Sequence, residues 1–267
     1  MPLPDHFAST GFCATPTGRH KIQRFQVLGE RGSGTNYITK ILTLNTDLKP
    51  TDLLGWKHGF PHMLAVPFDM AVICVVRRAD NWARSLFETP WHSTAQIQAL
   101  EFSDFIRRPW DTVVDKPKYF KGMFQPMMRM APLQHDRHPL TGDKFQNIFA
   151  LRQAKLAALI SMLGRDCTVV FLRMEDFQAD PEAALEKVCG ALGTTPRAEF
   201  TPFMRRQGWR FRTAIPERPT LPDAWSDADY TFLKSAIDPH QEAQLGYSYT
   251  DPPAIKKRHI TPEWTDD

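Results

Sequence analysis

The sequence lacks long apolar segments and a strong excess of charge of either sign. Its N-terminus, Met-Pro-Leu-Pro-Asp-His-Phe, has neither the basic start nor the apolar stretch of a signal peptide. Nowhere do about 18 apolar residues follow one another, as a membrane-spanning helix requires. The 33 basic and 30 acidic residues leave a net charge of +3, too little to indicate nucleic-acid binding. These absences predict a cytoplasmic protein with neither a membrane nor a nucleic acid as its partner.

Cysteine is scarce, and its few positions form no pattern. The residues are far apart, so their spacing matches neither a zinc site nor a disulfide framework. We expect reduced, buried thiols and no metal centre. The cysteines are Cys13, Cys74, Cys167 and Cys189. With 267 residues the chain can bury a substantial core, and we expect one α/β domain over residues 1–267.

The most informative segment spans residues 25–42, which predict a buried strand, a glycine-rich turn and the start of a helix. Gly29 and Gly34 keep the glycine spacing of an ATP- or GTP-hydrolysing P-loop. Thr35, however, stands where such a loop has its lysine, and Asn36 stands where it has the hydroxyl that ligates magnesium. The turn is therefore suited to an anion and poorly suited to Mg-ATP.

This turn has the features of a phosphate-binding loop. Unpaired amides in the first turn of a helix favour phosphate, and glycines let the backbone approach its oxygens closely. Ser33 and Thr35 add hydroxyl donors, and Arg31 adds a countercharge. An ordinary turn with a Ser or Thr helix cap is the alternative. The expected anion-binding residues are Arg31, Gly32, Ser33, Gly34, Thr35 and Asn36.

A second strand is predicted at residues 71–76, where the apolar run is uninterrupted, as in an inner parallel strand covered on both faces. Arg77 comes directly after this strand. Ligands of open α/β sheets bind beyond the carboxyl ends of the strands. We therefore expect Arg77 at the same edge of the sheet as the glycine-rich turn.

Three segments, in the same order, resemble the sulfotransferases that use 3′-phosphoadenosine 5′-phosphosulfate (PAPS), within the P-loop sulfotransferase superfamily. That family has a Lys-Ser-Gly-Thr-Thr turn and a serine eight residues after the arginine of an Arg-Asn-Pro strand end, and Arg77 and Ser85 have this separation. Residues 171–177, Phe-Leu-Arg-Met-Glu-Asp-Phe, look like the family's Arg-Tyr-Glu-Asp-Leu strand and precede a similar helix. The resemblance covers residues 25–193 and implies that Arg77 and Ser85 bind the 3′-phosphate.

The resemblance implies a three-layer α/β sandwich with a central, mostly parallel sheet and a P-loop-like phosphate-binding turn. It implies an enzyme that moves a sulfuryl group from PAPS to a hydroxyl or amine without a metal and releases 3′-phosphoadenosine 5′-phosphate (PAP). Golgi relatives are usually membrane-anchored, so the chain is more similar to soluble bacterial or cytosolic members. The acceptor, a small molecule or a glycan, stays open, as does the oligomeric state.

The catalytic residues implied by the resemblance lie in the segment Trp-Lys-His-Gly-Phe-Pro at 56–61. Cytosolic relatives have Lys-Thr-His-Leu-Pro here, and aligning the prolines places Lys57 on the family's lysine and His58 one residue before its histidine base. A histidine suits this task because its unperturbed pKa of about 6.5 lets it accept a proton near neutrality. Alternatively, His58 caps a strand end and Lys57 is solvated. Arg31, which precedes the position of the loop lysine, is a third catalytic candidate, and the rival bases are His62, Glu30 and Glu88.

Two helices and a strand are predicted in the later core. A long packed helix is expected at 146–163, with Arg152 either on a solvated face, which we favour, or near the cofactor. A strand is expected at 168–172 and a helix at 181–192, which Gly193 ends.

Two stretches show little periodicity. Residues 1–22 are interpreted as an irregular arm. Residues 91–145 hold many aromatic residues, methionines and prolines, and so long a stretch between αβ units usually has a function. We predict that it is an acceptor-binding insertion or lid.

The C-terminal part is basic and aromatic. Arg205, Arg206 and Gly208 loosely resemble the family's late Arg-Lys-Gly segment, which clamps the 3′-phosphate. Paired guanidinium groups suit phosphate because their donors form a planar fork. Arg205 and Arg206 therefore join the expected cofactor-binding residues, with a charged surface strip as the alternative.

Two other classes of function stay open. A small-molecule kinase would share the strand, turn and helix, although the missing lysine and hydroxyl argue against it. A non-catalytic module would bind nucleotide or nucleic acid through the basic C-terminal part. Turnover of ATP with magnesium would favour the kinase, whereas salt-sensitive oligonucleotide binding without sulfation would favour the module.

Overall fold

The computed structural model describes residues 3–120, 125–204 and 210–252. Within these ranges the strands are β1 (Phe12–Thr15), β2 (Arg24–Leu28), β3 (Lys49–Pro50), β4 (Met70–Val76) and β5 (Thr168–Arg173). They form one sheet in the order β1-β5-β4-β2-β3. β1 pairs antiparallel with β5, and the other neighbours pair in parallel. The sheet is therefore mostly parallel, as the sequence predicts.

Helices surround the sheet, so the chain is a mixed α/β protein. The α-helices are α1 (Phe7–Thr10), α2 (Thr35–Asn45), α3 (Ala79–Glu88), α4 (Ala95–Gln98), α5 (Phe102–Arg107), α6 (Ile148–Ile160), α7 (Met174–Ala179), α8 (Pro181–Leu192), α9 (Asp227–Ala236) and α10 (Pro239–Gln244). Short 3-10 helices lie at Pro117–Tyr119, Pro126–Met128, Gln134–Asp136 and Ser161–Gly164.

Strand β4 lies in the middle of the sheet and is buried along its whole length. Successive side chains of a strand point to opposite faces. Val72 and Cys74 accordingly join a hydrophobic cluster with residues of α6, whereas Ile73 and Val75 join a second cluster with residues of α2 and α8. Burial on both faces explains why this strand is apolar without interruption.

The predicted elements around the glycine-rich turn are confirmed. β2 and α2 flank the turn, and β4 covers the expected strand at 71–76. β5 and α8 match the other predicted strand and helix, and Gly193 ends α8 with a φ of +62°, which a residue without a side chain adopts at little cost. The long helix is also present, although its regular part, α6, ends at Ile160 and a 3-10 turn follows.

The N-terminal arm is not irregular, so that prediction is wrong. It contains α1 and then β1, whose Cys13 stands opposite Phe171 of β5. Phe7 is fully buried, and its ring meets the edge of the Phe171 ring with 5.4 Å between their centroids. β1 has only four residues, and the alternation of so short a strand cannot be recognised in the sequence. Pairing with a distant strand creates this element.

Arg152 does not lie on a solvated face, so the interpretation we favoured is also wrong. The residue is only 2% exposed. Its guanidinium forms an ion pair with Glu242 of α10 and donates to the Arg77 carbonyl over 2.8 Å. Helical periodicity identifies the apolar face of α6, but it cannot reveal a distant carboxylate that neutralises a charge on that face.

The stretch 91–145 is more regular than its sequence indicates. Its described residues include α4, α5 and three 3-10 helices. Phe105 and Trp110 are buried in a hydrophobic cluster that also includes residues of α3, α6 and α9. Much of this stretch therefore belongs to the core.

All four cysteines are unpaired and buried, as predicted. Burial raises the pKa of the Cys13 and Cys189 thiols to about 11, and it raises that of Cys74 as well, so these thiols stay protonated near neutrality. Among the described helices, none combines the length and the apolar character needed to cross a bilayer.

Candidate functional site

Three parallel strands end at one edge of the sheet, and each is followed there by a segment of the candidate site. The glycine-rich turn at 29–34 follows β2, Arg77 follows β4, and Met174 begins α7 after β5. Because β2, β4 and β5 run in parallel, their carboxyl ends meet at this edge. We call the edge formed by residues 29–34, Arg77 and Met174 the rim.

The glycine-rich turn is closed by its own hydrogen bonds. Gly32 and Gly34 have φ angles of +78° and +97°, a region that favours glycine. The Ser33 hydroxyl and amide both donate to the Glu30 carbonyl, over 2.7 and 3.1 Å. At the start of α2, the amides of Gly34 and Thr35 have no hydrogen-bond partner in the described part of the chain. Such amides are the donors that bind an anion.

Replacing Gly34 by alanine is expected to distort this turn. A Cβ at this position would overlap the sulfur of Met174, and a φ of +97° is unfavourable for alanine. We expect the free energy of unfolding to fall by about 1–3 kcal/mol in urea denaturation. Gly18→Ala is the control, because Gly18 has a φ of +66° with open space around it. Equal losses in the two variants would contradict a role for the overlap.

Arg77 and Ser85 both lie beside the turn. The Nη1 of Arg77 donates to the Gly32 carbonyl over 2.9 Å. A Cβ built on Gly32 would lie 3.3 Å from the Ser85 Oγ. Trp82, between them in sequence, is buried and donates its indole N–H to the Arg31 carbonyl over 2.8 Å. Trp82 therefore supports the turn from the core, while Arg77 and Ser85 meet it at the rim.

Lys57 and His58 adjoin the beginning of the turn. The Gly29 amide donates to the Lys57 carbonyl over 3.0 Å, and the Nδ1 of His58 lies 2.7 Å from the Gly29 carbonyl oxygen. Because a carbonyl oxygen can only accept, Nδ1 carries the proton and Nε2 is left as an acceptor. The Lys57 ammonium donates to Oδ1 of Asn36 in the first turn of α2.

Burial sets the protonation states of this pair. Burial, together with the charge of Lys57, holds the pKa of His58 well below its usual range. Burial also lowers the pKa of Lys57 to about 8. Near neutrality the pair therefore consists of a neutral imidazole and a lysine that is mostly charged. A base and a cation lie side by side at the turn.

Arg31 lies in a buried charged cluster. Its Nη2 donates to Asp136 Oδ2 over 2.6 Å, and Lys155 Nζ donates to the other oxygen of the same carboxylate over 2.5 Å. The rings of Trp56 and Trp110 lie 5.3 and 5.5 Å from the guanidinium carbon. The Arg31 Nη1 is buried and has no hydrogen-bond partner among the described residues. Asp136 and the two indole rings thus hold the Arg31 guanidinium in place.

The buried charges shift each other's ionisation. Burial opposes the ionisation of Asp136, but the charges of Arg31 and Lys155 outweigh it and hold the pKa of this carboxyl well below its usual range. Burial raises the pKa of Glu30 to about 7, although Lys155 and Arg152 oppose the rise. Two buried cations therefore share one fully ionised carboxylate, with a half-ionised carboxyl nearby at neutral pH.

A cavity of about 590 Å³ opens beside Lys57 and His58. The stretch 91–145 contributes four residues to its wall: Trp91, His92, Lys118 and Tyr119. Arg77 and Ser85, which are both described by the structure, do not line this cavity. The cavity adjoins the turn and the start of α2 through Arg31 and Asn36.

His92 is a second imidazole in the cavity wall, and sequence analysis missed it. Its Nδ1 lies 2.5 Å from Asp115 Oδ1. Its φ of +67° is unusual for a residue with a side chain, and such residues cluster at functional sites. Burial lowers the pKa of His92, although the hydrogen bond to Asp115 opposes the shift. His92 is therefore a rival proton acceptor.

Three late residues of the chain contact the rim from the core side. We call Glu242, Tyr247 and Tyr249 the C-terminal clamp. Glu242 pairs with the Arg152 that binds the Arg77 carbonyl. The Tyr249 hydroxyl accepts from the Ala79 amide over 2.9 Å and donates to Glu242 over 2.6 Å. The Tyr247 hydroxyl donates to Glu175 over 2.8 Å. No sequence motif indicated these contacts.

The charged and polar groups of these segments thus converge on one turn and one cavity. Comparison of the chain with protein-family models, curated proteins and solved structures finds no match in any of the three.

The remaining predicted residues are two arginines and three rival bases. Arg205 and Arg206 lie outside the described residues. Of the rival bases, His62 is exposed and Glu88 is half-buried at the end of α3, and neither lines the cavity. Glu30 is buried, and its raised pKa keeps it a rival.

Proposed function

We propose that this chain is a PAPS-dependent sulfotransferase that moves a sulfuryl group to a hydroxyl or amine and releases PAP. The contact of 2.9 Å between Arg77 Nη1 and the Gly32 carbonyl carries the proposal. This contact puts a phosphate-binding guanidinium beside helix-start amides that have no partner among the described residues. A ligand with phosphates at two positions is therefore proposed to contact both groups.

The finer fold belongs to the same proposal. Hydrophobic clusters on both faces of the sheet support a three-layer α/β sandwich. The succession of β2, glycine-rich turn and α2 supports a P-loop-like phosphate-binding turn. Thr35 and Asn36, in place of the lysine and the magnesium-binding hydroxyl, favour a loop that binds its anion without a metal.

Donors at and beside the rim support PAPS as the ligand. When bound, PAPS supplies the sulfuryl group that the acceptor oxygen or nitrogen receives. The amides of Gly34 and Thr35, with Asn36 beside them, would bind the 5′-phosphosulfate. Arg77 and Ser85 would bind the 3′-phosphate. The proposed cofactor residues are Arg31, Gly32, Ser33, Gly34, Thr35, Asn36, Arg77, Ser85, Arg205 and Arg206.

His58 is proposed as the general base. The Gly29 carbonyl fixes its Nδ1, so Nε2 accepts the proton that the acceptor loses as its bond to sulfur forms. Lys57, bound to Asn36, holds a positive charge beside the turn and stabilises negative charge on phosphate oxygens. Arg31, a residue of the cavity wall, adds a second positive charge. Most of the rate acceleration comes from positioning and electrostatics.

The cavity beside His58 is proposed as the acceptor site. Part of its wall comes from the stretch 91–145, which supports the interpretation of this stretch as an acceptor-binding insertion. The acceptor is a small molecule or a glycan. The cytoplasmic location, the single domain over 1–267 and the absence of a nucleic-acid partner stay predictions.

A thermal-shift comparison of PAP with AMP, ADP and ATP tests the proposal. Because only PAP carries a 3′-phosphate, we expect PAP to raise the melting temperature more than AMP does at equal concentration. Arg77→Ala should remove this excess and leave the shift with AMP, since the lost charged hydrogen bonds amount to about 1.5–3 kcal/mol. Arg197→Ala, which changes an exposed arginine paired with Asp47, is the control.

Two outcomes would contradict the proposal. Equal stabilisation by AMP and PAP would mean that Arg77 and Ser85 do not recognise a 3′-phosphate. Stabilisation by ATP that requires magnesium, with turnover of ATP and no response to PAP, would favour the kinase.

A further inference from the structure

The cavity beside His58 has a strongly positive wall. Among the described residues, five cationic side chains and a single carboxylate, that of Asp52, line it. The whole chain is nearly balanced in charge, so this surplus is a local property. The cations are Arg31, Lys40, Lys57, Lys118 and Arg210.

The buried part of the wall contributes to this surplus. Arg31 and Lys155 share the carboxylate of Asp136, and the nearby Glu30 is about half ionised at neutral pH, so part of their positive charge is left over. Arg31 is 5% exposed, and its Nη1 has no hydrogen-bond partner within the described ranges. This nitrogen is itself buried, so Arg31 contributes its positive charge to the wall rather than a hydrogen bond. The cavity is therefore suited to an anionic group.

Aromatic side chains form the rest of the recognition surface. Trp56, Trp91 and Tyr119 line the cavity, and the rings of Trp91 and Tyr119 meet edge to face with 5.3 Å between their centroids. Flat aromatic surfaces contact planar rings and the apolar faces of sugars. A volume of about 590 Å³ suits a ligand of one or two rings.

We propose that the acceptor bound in this cavity is a ring compound that carries an anionic substituent, a carboxylate or a sulfate ester, besides the group that receives the sulfuryl. The role of this ligand as acceptor rests on the proposed function, whereas the preference for an anion rests on the cavity alone. The exposed cations Lys40 and Lys118 attract the anion.

Calorimetric titration of the protein saturated with PAP tests this proposal. The probes are matched pairs that differ in charge: para-hydroxybenzoate with para-hydroxybenzamide, phenyl β-glucuronide with phenyl β-glucoside, and para-hydroxyphenyl sulfate with hydroquinone. We expect the anionic member to bind about tenfold more tightly or better. Added salt should reduce the preference. The anionic probe that binds most tightly shows whether the cavity prefers a carboxylate or a sulfate ester.

Charge variants connect the preference to this wall. Lys40→Gln and Lys118→Gln, both at exposed positions, should each reduce the preference for the anion by a factor of about 2–5. Lys187→Gln is the control, because Lys187 is an exposed lysine of α8 outside the cavity wall. If Lys187→Gln reduced the preference for the anion as much as Lys40→Gln and Lys118→Gln do, the preference would not come from this wall.

Other outcomes separate this proposal from the proposed function. Equal binding of both members, tighter binding of the neutral member, or no binding by any anionic probe would overturn the proposal. Competition between the anionic probes and PAP would also overturn it, since the cations would then belong to the nucleotide site. An anion preference without transfer from PAPS to any acceptor would instead leave the cavity assignment standing and refute the sulfotransferase.

Discussion

Replacing Asp136 by alanine is expected to lower the free energy of unfolding by about 3–5 kcal/mol, because it leaves two buried cations without their shared carboxylate. The carboxylate is 2% exposed and accepts from Arg31 and Lys155. It also accepts from Trp110 and Thr112, over 3.3 and 2.8 Å. Urea denaturation at pH 7 measures the change.

The effect of this substitution should depend on pH. The pKa of Asp136 is lower in the folded protein than in the unfolded chain, so the carboxyl stabilises the fold above the unfolded value. This contribution is lost as the pH falls below about 4 toward the folded pKa. The difference in the free energy of unfolding between wild type and variant should therefore become smaller below about pH 4 and stay constant above it.

Asp166→Ala is the matched control for Asp136→Ala. Asp166 pairs with Arg19 over 2.7 Å, but both side chains are more than half exposed. An exposed pair contributes at most about 1 kcal/mol. A loss below this level in the Asp136 variant would show that burial of the cluster does not matter for stability.

The variant His58→Ala is expected to lower turnover by a factor of about 100 or more, with unchanged affinity for PAP, if His58 is the base. The measurement follows labelled sulfuryl transfer from PAPS to the best acceptor of a panel that includes the anionic ring compounds. Because burial holds the pKa of His58 well below its usual range, the acid limb of the wild-type pH profile should lie below pH 6.5. The variant should lose that limb.

Two further variants make this prediction specific. His240→Ala, at an exposed position on α10, should leave turnover unchanged. His92→Ala tests the rival imidazole that pairs with Asp115. If His92→Ala abolished turnover while His58→Ala did not, the base would be His92 and the assignment from the resemblance would be wrong.

The sequence predicts the parts of this molecule that have a local signature. The apolar run of β4, the glycine spacing of the turn and Gly193 at the end of α8 each encode their structure within a few residues. The parallel ends of adjacent strands then bring Arg77 to the turn, as expected from the topology of α/β sheets.

The buried cluster has no such signature. Asp136 lies in a stretch without periodicity, and its partner Arg31 is 105 residues away in the chain. Lys155 gives the one local hint, since it stands among apolar neighbours on α6. Burial can be read from such a pattern, but the identity of a partner depends on tertiary packing. The strained backbone of His92 is hidden for the same reason.

The C-terminal clamp links the rim to residues that come much later in the chain. Glu242 and Tyr249 reach back 90 and 170 residues to Arg152 and Ala79. Contacts over such separations are slow to form, because the entropy of closing the loop is lost before the contact is gained. We therefore expect these contacts to form late in folding, so a partly folded chain would not yet have the complete rim.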